Sequence, residues 1–190
     1  MPAITEKGIH LDFPAQWAVV KYDGDATSSS ANFYRAFIAN QVQHVRGVDV
    51  VVHVPAPAER LLLIEVKDYR ISATPVANKL GELRQAIIQK ALNTLSGLYV
   101  AARVGNPELQ AVTVGMFRPQ LRIEVVFVLE QPPLPENPVT VAQKFRRQNP
   151  RTARVDMELE LLSRLSALGM GFKLHSSSSL SSADGWAIRL

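Results

Sequence analysis

Two β-prone segments joined by a proline-containing loop constrain the fold of this 190-residue chain more than any other feature. One segment runs from Val48 to Val54 and the other from Leu61 to Tyr69, and both are rich in β-branched and aliphatic residues. The intervening sequence PAPAER suits a hairpin connection, because proline favours turns over continued strands. The sequence therefore predicts two adjacent antiparallel strands.

Side-chain alternation predicts the register of this hairpin. With the loop centred on Pro57, Asp49 faces Glu65, and Lys67 lies two residues further along on the same face. A shift of one residue would carry the acids into the core, so the segregation of charged from apolar residues supports this register. The opposite face is then wholly apolar, with the facing pairs Val48–Val66, Val50–Ile64 and Val52–Leu62.

The facing carboxylates of Asp49 and Glu65 require compensation. Directly opposed side chains have β-carbons about 4.5–5.5 Å apart, and like charges at that separation destabilise a sheet. A divalent cation would compensate them, because two carboxylates, a backbone carbonyl and waters form the hard-oxygen site that Mg²⁺ accepts. Lys67 would then lie beside the metal, where it could orient or deprotonate the attacking water or stabilise charge on a phosphate.

The remaining pattern indicates one α/β domain. Helical periodicity extends over 31–46, before the first of the two strands, and over 76–104, after the second. We expect a single domain over 1–190, with a core at about 17–130 and a C-terminal helical elaboration at 139–190. Further strands are predicted at 17–22, 121–130 and 185–190, and two helices at 139–148 and 152–168, parted by Pro150.

Asp49 followed by Glu65-Val66-Lys67 on a strand resembles the signature of the PD-(D/E)XK, or restriction-endonuclease-like, nuclease superfamily. The resemblance covers roughly residues 17–130 and implies an α/β fold in which a central mixed β-sheet is flanked by helices. It also implies a hydrolase that cleaves phosphodiester bonds in DNA with Mg²⁺ or Mn²⁺. Asp49 and Glu65 would be the metal ligands, and Lys67 would be the catalytic base or a charge stabiliser.

Two common features of the superfamily concern further residues of the active site. The helix after the motif strand often adds polar residues, and Gln89 and Lys90 are the candidates here. The first helix often supplies a glutamate, but 31–46 contains no acidic residue, so Asp23 or Asp25 would have to replace it. The alternative function is therefore a catalytically reduced protein of the same fold that binds nucleic acid or another protein. A third hypothesis is an interaction protein whose charged pair is exposed on an edge strand.

An excess of basic over acidic residues, 21 against 17, gives a net charge of +4 and favours polyanionic partners. The absence of cysteine excludes disulfides, thiolate zinc sites and thiol nucleophiles. Because no apolar run approaches membrane-spanning length and no signal peptide is evident, we expect a cytoplasmic protein without a membrane partner. A homodimer or a protein partner stays open. The densest basic cluster, which we expect to hold DNA phosphates, consists of Lys144, Arg146, Arg147, Arg151 and Arg154.

Overall fold

The computed structural model describes residues 1–23, 33, 45–71, 80–132, 139–180 and 182–190, and it describes their side chains except for those of 141–150 and 182. The strands are β1 Ala3–Glu6, β2 Ile9–Asp12, β3 Ala18–Lys21, β4 Val50–Val54, β5 Arg60–Asp68, β6 Arg122–Glu130, β7 Met170–His175 and β8 Ala187–Arg189. The α-helices are α1 Leu80–Val104, α2 Gln110–Thr113 and α3 Val141–Ser166. The predicted helix over 31–46 lies outside these ranges apart from Phe33, Val45 and Arg46.

A five-stranded mixed sheet in the order β3-β4-β5-β6-β7 organises the fold. The first three strands are antiparallel neighbours, whereas β6 and β7 each run parallel to the preceding strand. Parallel strands need a long crossover connection, and α1 lies between β5 and β6 while α3 lies between β6 and β7. The α/β class is therefore confirmed, and so are the predicted strands at 17–22, 121–130 and 185–190.

The register of the central hairpin is confirmed along β4, where Val50 pairs with Ile64 and Val52 with Leu62. The predicted facing pairs Asp49–Glu65 and Val48–Val66 are not part of this ladder, because regular pairing begins only at Val50. The backbone N–H of Val48 donates instead to Thr94 Oγ1 of α1 at 2.9 Å. The chain thus enters β4 from the helix side of the sheet, immediately before the first paired residue.

Helices cover one face of the main sheet. The apolar residues of α1 recur every three or four positions, so they form one stripe that packs against β4 and β5. Gly105 then ends the helix with φ of 65°, a conformation that favours glycine. The carboxyl-terminal half of α3 adds Met157, Leu161 and Leu165 to the same core.

A second sheet covers the opposite face of the main sheet in the part of the chain that is described. This sheet has the order β1-β2-β8 and is antiparallel. Its residues Ile9 and Leu11 pack with Phe13 and Trp186 onto the apolar face of the hairpin. The rings of Phe13 and Trp186 stack with their centroids 5.4 Å apart. Two short terminal segments therefore complete the core on this face of the main sheet.

The prediction of two helices parted by Pro150 is also wrong, since α3 continues through this residue. A proline inside a helix removes one hydrogen bond and costs about 3 kcal/mol. The burial of three large apolar side chains downstream offsets such a cost and holds the helix to the core. Beyond α3, β7 adds a fifth strand to the main sheet, outside the predicted core of 17–130. None of the helices described here is long and apolar enough to cross a membrane.

Gly47 allows the close approach that leads the chain into β4. A β-carbon at this position would lie 2.8 Å from Cδ1 and Cε1 of the fully buried Tyr22 ring. Gly47→Ala should therefore lower the free energy of unfolding by about 1–3 kcal/mol, as overpacking does. The matched control is Gly81→Ala in α1, where nothing lies within 4 Å, and stability should hold or rise by up to about 1 kcal/mol. Urea unfolding of both variants tests the difference, and equal midpoints would contradict it.

Candidate active site

Asp49 occupies the entrance to β4 and is anchored by the main chain of its neighbours. Its Oδ2 accepts a hydrogen bond from the Val66 N–H at 2.6 Å, and its carbonyl accepts one from the Tyr22 N–H at 2.9 Å. The carboxylate thus satisfies an amide of β5 at the point where regular pairing with β4 has ended. Only 4% of Asp49 is exposed, so this acid is held in place rather than free on the surface.

Glu65 lies on β5 and is 1% exposed, yet both of its carboxylate oxygens contact ammonium groups. Lys67 Nζ lies 2.7 Å from Oε1. Lys90 Nζ reaches across from α1 to 2.9 Å from Oε1 and 2.8 Å from Oε2. The predicted placement of Lys67 beside Glu65 is therefore observed, and Lys90 contacts Glu65 directly instead of merely lining the site.

A third lysine, Lys7, completes the cluster and was missed at the level of sequence. Its Nζ donates to the Val66 carbonyl at 2.9 Å and lies 3.4 Å from Oδ1 and 3.5 Å from Oδ2 of Asp49. Lys7 belongs to the two-residue turn between β1 and β2, where it has φ of 51° and is followed by Gly8 with φ of 77°. Positive φ at both positions is typical of hairpin turns, so the Lys-Gly pair was the available signal.

The charges of the cluster depend on one another. Burial raises the pKa of the Glu65 carboxyl, the nearby Asp49 charge raises it further, and Lys90 and Lys67 oppose the rise. Burial alone would lower the pKa of Lys67, but the Glu65 carboxylate outweighs this effect and raises it. Lys67 is consequently an ammonium at neutral pH, and the two acids are surrounded by three cationic side chains.

An open cleft of about 280 Å³ lies between the end of β5 and α1. Its β5 wall carries Glu65 and Lys67, and its α1 wall carries Gln89 and Lys90. The amide of Gln89 donates to Asn93 Oδ1 at 2.9 Å, and Asn93 also lines the cleft. The structure thus brings together the predicted residues of both elements. Asp49, which directly precedes β4, is not among the lining residues.

The other candidate residues are only partly described by the structure. Asp23 directly follows Tyr22 and is not among the described residues that line the cleft, while Asp25 falls outside the described ranges. In the basic cluster, the side chains of Lys144, Arg146 and Arg147 are not described. Arg151 is exposed, whereas burial lowers the pKa of Arg154.

The donor set around Asp49 fits a hard cation. The carboxylates of Asp49 and Glu65 and the carbonyl oxygen of Val66 are oxygen ligands of the kind that Mg²⁺ and Mn²⁺ accept. Lys7 shows that Asp49 and the Val66 carbonyl can hold one positive group jointly. Among the residues with described side chains, no cluster of three or more His, Asp or Glu is available for a metal, so waters or a substrate would complete the coordination.

The Lys90–Glu65 pair gives a test of this electrostatic arrangement. Lys90→Met should lower the free energy of unfolding by up to about 3 kcal/mol at pH 7, because it leaves a buried carboxylate with one ammonium fewer. Since the folded pKa of Glu65 is raised above its ordinary value of 4.5, ionising Glu65 lowers stability as the pH rises through that window. The loss should therefore be smaller at pH 5 than at pH 7, as measured by urea unfolding.

The control is Lys21→Met, which removes an ammonium 3.1 Å from Glu6 at a more exposed position. It should cost less than about 1 kcal/mol at either pH. Equal losses in the two variants, or a Lys90→Met loss that does not change with pH, would contradict the described role of Lys90.

No protein-family model, curated protein or solved structure matches this chain. The function is therefore argued from the geometry of the site. That geometry consists of two buried acids, three lysines from three separate elements, and a cleft that opens beside one of the acids.

Proposed function

We propose that this protein is a Mg²⁺-dependent nuclease, of the PD-(D/E)XK or restriction-endonuclease-like kind, that hydrolyses phosphodiester bonds in DNA. One observation carries the proposal: Asp49 is bonded to the main chain of β5 between Glu65 and Lys67, and these two residues line an open cleft. A buried acid pair with a lysine at hydrogen-bond distance is costly in stability, and function is the common reason for such an arrangement.

The order of the elements also supports the proposal. The strands β3, β4 and β5 form an antiparallel meander, α1 follows, and β6 then pairs parallel to β5. This is a mixed central sheet with a helix directly after the motif strand, as the resemblance implies. The helix places Lys90 and Gln89 at the cleft, where the resemblance also leads us to expect polar residues.

Each residue of the candidate site has a distinct role in this proposal. Asp49 and Glu65, with the Val66 carbonyl, would hold Mg²⁺ or Mn²⁺, which when bound polarises the phosphate and lowers the pKa of water. Hydrolysis forms a bond from the water oxygen to phosphorus and breaks the bond to the leaving sugar oxygen, which takes up a proton from solvent as the attacking water gives one up. Because Lys67 is charged in the described state, it suits the stabilisation of developing phosphate charge better than the removal of a proton.

A second candidate function is favoured by the charges of the cluster. Three ammonium groups already contact the carboxylates of Asp49 and Glu65 without any metal. Such a site could bind a phosphate directly, since lysine ammonium groups are good phosphate partners. The alternative is therefore a catalytically reduced protein that binds nucleic acid through the same cleft.

Cleavage assays separate these candidates. With Mg²⁺ or Mn²⁺, wild-type protein should nick plasmid DNA, and Asp49→Asn, Glu65→Gln and Lys67→Met should each slow nicking at least about 100-fold. Metal binding, followed by calorimetry, should be weakened in the two acid variants and retained in Lys67→Met. The control is Glu59→Gln, in which the lost carboxylate pairs with His53 and Arg118 near the other end of β5.

The outcomes of this assay are distinct. Equal nicking by wild type and all three site variants would show that the site is assigned wrongly. A wild-type protein that binds nucleic acid but cleaves neither DNA nor RNA would favour the second candidate.

DNA binding itself is predicted to depend on the basic cluster of α3. Neutralising Arg146 and Arg147 together should weaken binding to duplex DNA regardless of its sequence and reduce the salt slope by about 1 for each lost phosphate contact. Arg164→Gln is the control, because Arg164 lies at the far end of the same helix, paired with Glu160. Fluorescence anisotropy at several salt concentrations makes the comparison, and an unchanged slope in the double variant would limit the cluster to a solvated helix face.

A further inference from the structure

The motif of Asp49 and Glu65-Val66-Lys67 assigns no role to Lys7, although Lys7 belongs to the same cluster. Its ammonium contacts the Val66 carbonyl and the Asp49 carboxylate, two of the three groups expected to ligate a metal. An ammonium group or a divalent metal ion at this position would contact the same oxygens. A lysine ammonium and a divalent metal therefore compete for one position.

The backbone that delivers this ammonium is itself unusual. Lys7 has φ of 51°, a left-handed conformation that residues with a β-carbon seldom adopt. The turn holds Lys7 in this conformation because Glu6 pairs with Ile9 across it and Ile9 is fully buried in the core. The hairpin thus places Lys7 next to Asp49, just before β4, from the side of the second sheet. Lys90 contacts the cluster from the helical layer.

We propose that Lys7 is a built-in competitor of the metal: its ammonium occupies the cation position between Asp49 and the Val66 carbonyl, and a divalent cation binds there by displacing it. This inference rests on the proposed function, because it concerns the same metal position. It assigns the β1–β2 hairpin a regulatory role, in which the cluster stays charge-balanced and closed until the metal concentration suffices to expel the lysine.

Displacement is feasible on the described geometry. The Lys7 side chain is 38% exposed, whereas that of Asp49 is 6% exposed, so the lysine has a path to solvent and the acid does not. Its contacts to the Asp49 oxygens are long, at 3.4 and 3.5 Å. A second carboxylate, Glu6, lies 3.6 Å from Lys7 Nζ and can retain the ammonium after it leaves Asp49.

A simple structural ion pair would behave differently. If Lys7 only neutralised Asp49, its removal would lower stability and tighten metal binding only slightly, through the loss of one nearby positive charge. If Lys7 competes, the apparent dissociation constant of the metal equals the intrinsic one divided by the fraction of molecules in which the lysine is away from the position. With the lysine away in one molecule in ten, its removal would tighten metal binding about tenfold.

The test is calorimetric titration of full-length protein with Mn²⁺ in the absence of nucleic acid. Lys7→Gln should bind Mn²⁺ about tenfold more tightly than wild type. The control is Lys173→Gln, which also removes a lysine that bridges two carboxylates, those of Asp184 and Glu124, and should leave Mn²⁺ affinity unchanged. Equal affinities of Lys7→Gln and wild type would overturn the inference while leaving the proposed metal site intact. If neither wild type nor Lys7→Gln binds Mn²⁺, the inference and the proposed metal site are overturned together.

A second measurement on wild-type protein avoids any effect of the substitution on folding. Acetylation of lysine amines by a water-soluble reagent, quantified by mass spectrometry, should increase several-fold at Lys7 when Mn²⁺ is added. Lys173 should react at the same rate with and without the metal. Unchanged reactivity of Lys7 at saturating Mn²⁺ would show that the ammonium stays in place and would overturn the inference.

Discussion

The burial of two carboxylates next to one another is the constraint on which this structure depends. Asp49 and Glu65 are 4% and 1% exposed, and each would lose most of its hydration without compensation. Lysines from three separate elements supply that compensation: Lys7 from the second sheet, Lys67 from β5 and Lys90 from α1. The cluster therefore ties together both layers that cover the main sheet, and a change of charge within it should be felt in all three elements.

Local patterning was sufficient to predict the centre of the fold. The alternation in 48–54 and 61–69, with a proline-containing loop between them, specified the register of β4 and β5, since a slip would move the acids to the wholly apolar face of the hairpin. It was not sufficient for the second sheet, whose strands are only three or four residues long and pair across almost the whole chain, as Arg189 does with His10. Pro150 predicted a helix boundary that does not form, because the packing of α3 against the core outweighs the tendency of proline to end a helix.

The candidate site was predictable to the extent that its residues share neighbouring strands or one helix. Glu65 and Lys67 are two positions apart on one strand, so the Glu-x-Lys motif identifies them. Lys90 lies on the polar side of the next helix, which helical periodicity identifies. Lys7 could not be found in this way, because it meets Asp49 and Val66 across 42 and 59 residues of chain. Only the docking of the second sheet against the main one brings this lysine to the acids.

The central claim is that Asp49 and Glu65 form a divalent-metal position, and its most direct test is the location of a bound ion. Crystals of the wild-type protein soaked in Mn²⁺ would reveal the ion by anomalous scattering. The account predicts a peak within coordination distance of Asp49, Glu65 and the Val66 carbonyl, with Lys7 moved away from Asp49. A map with no peak at these residues, and with Lys7 still in contact with Asp49 at saturating Mn²⁺, would contradict it.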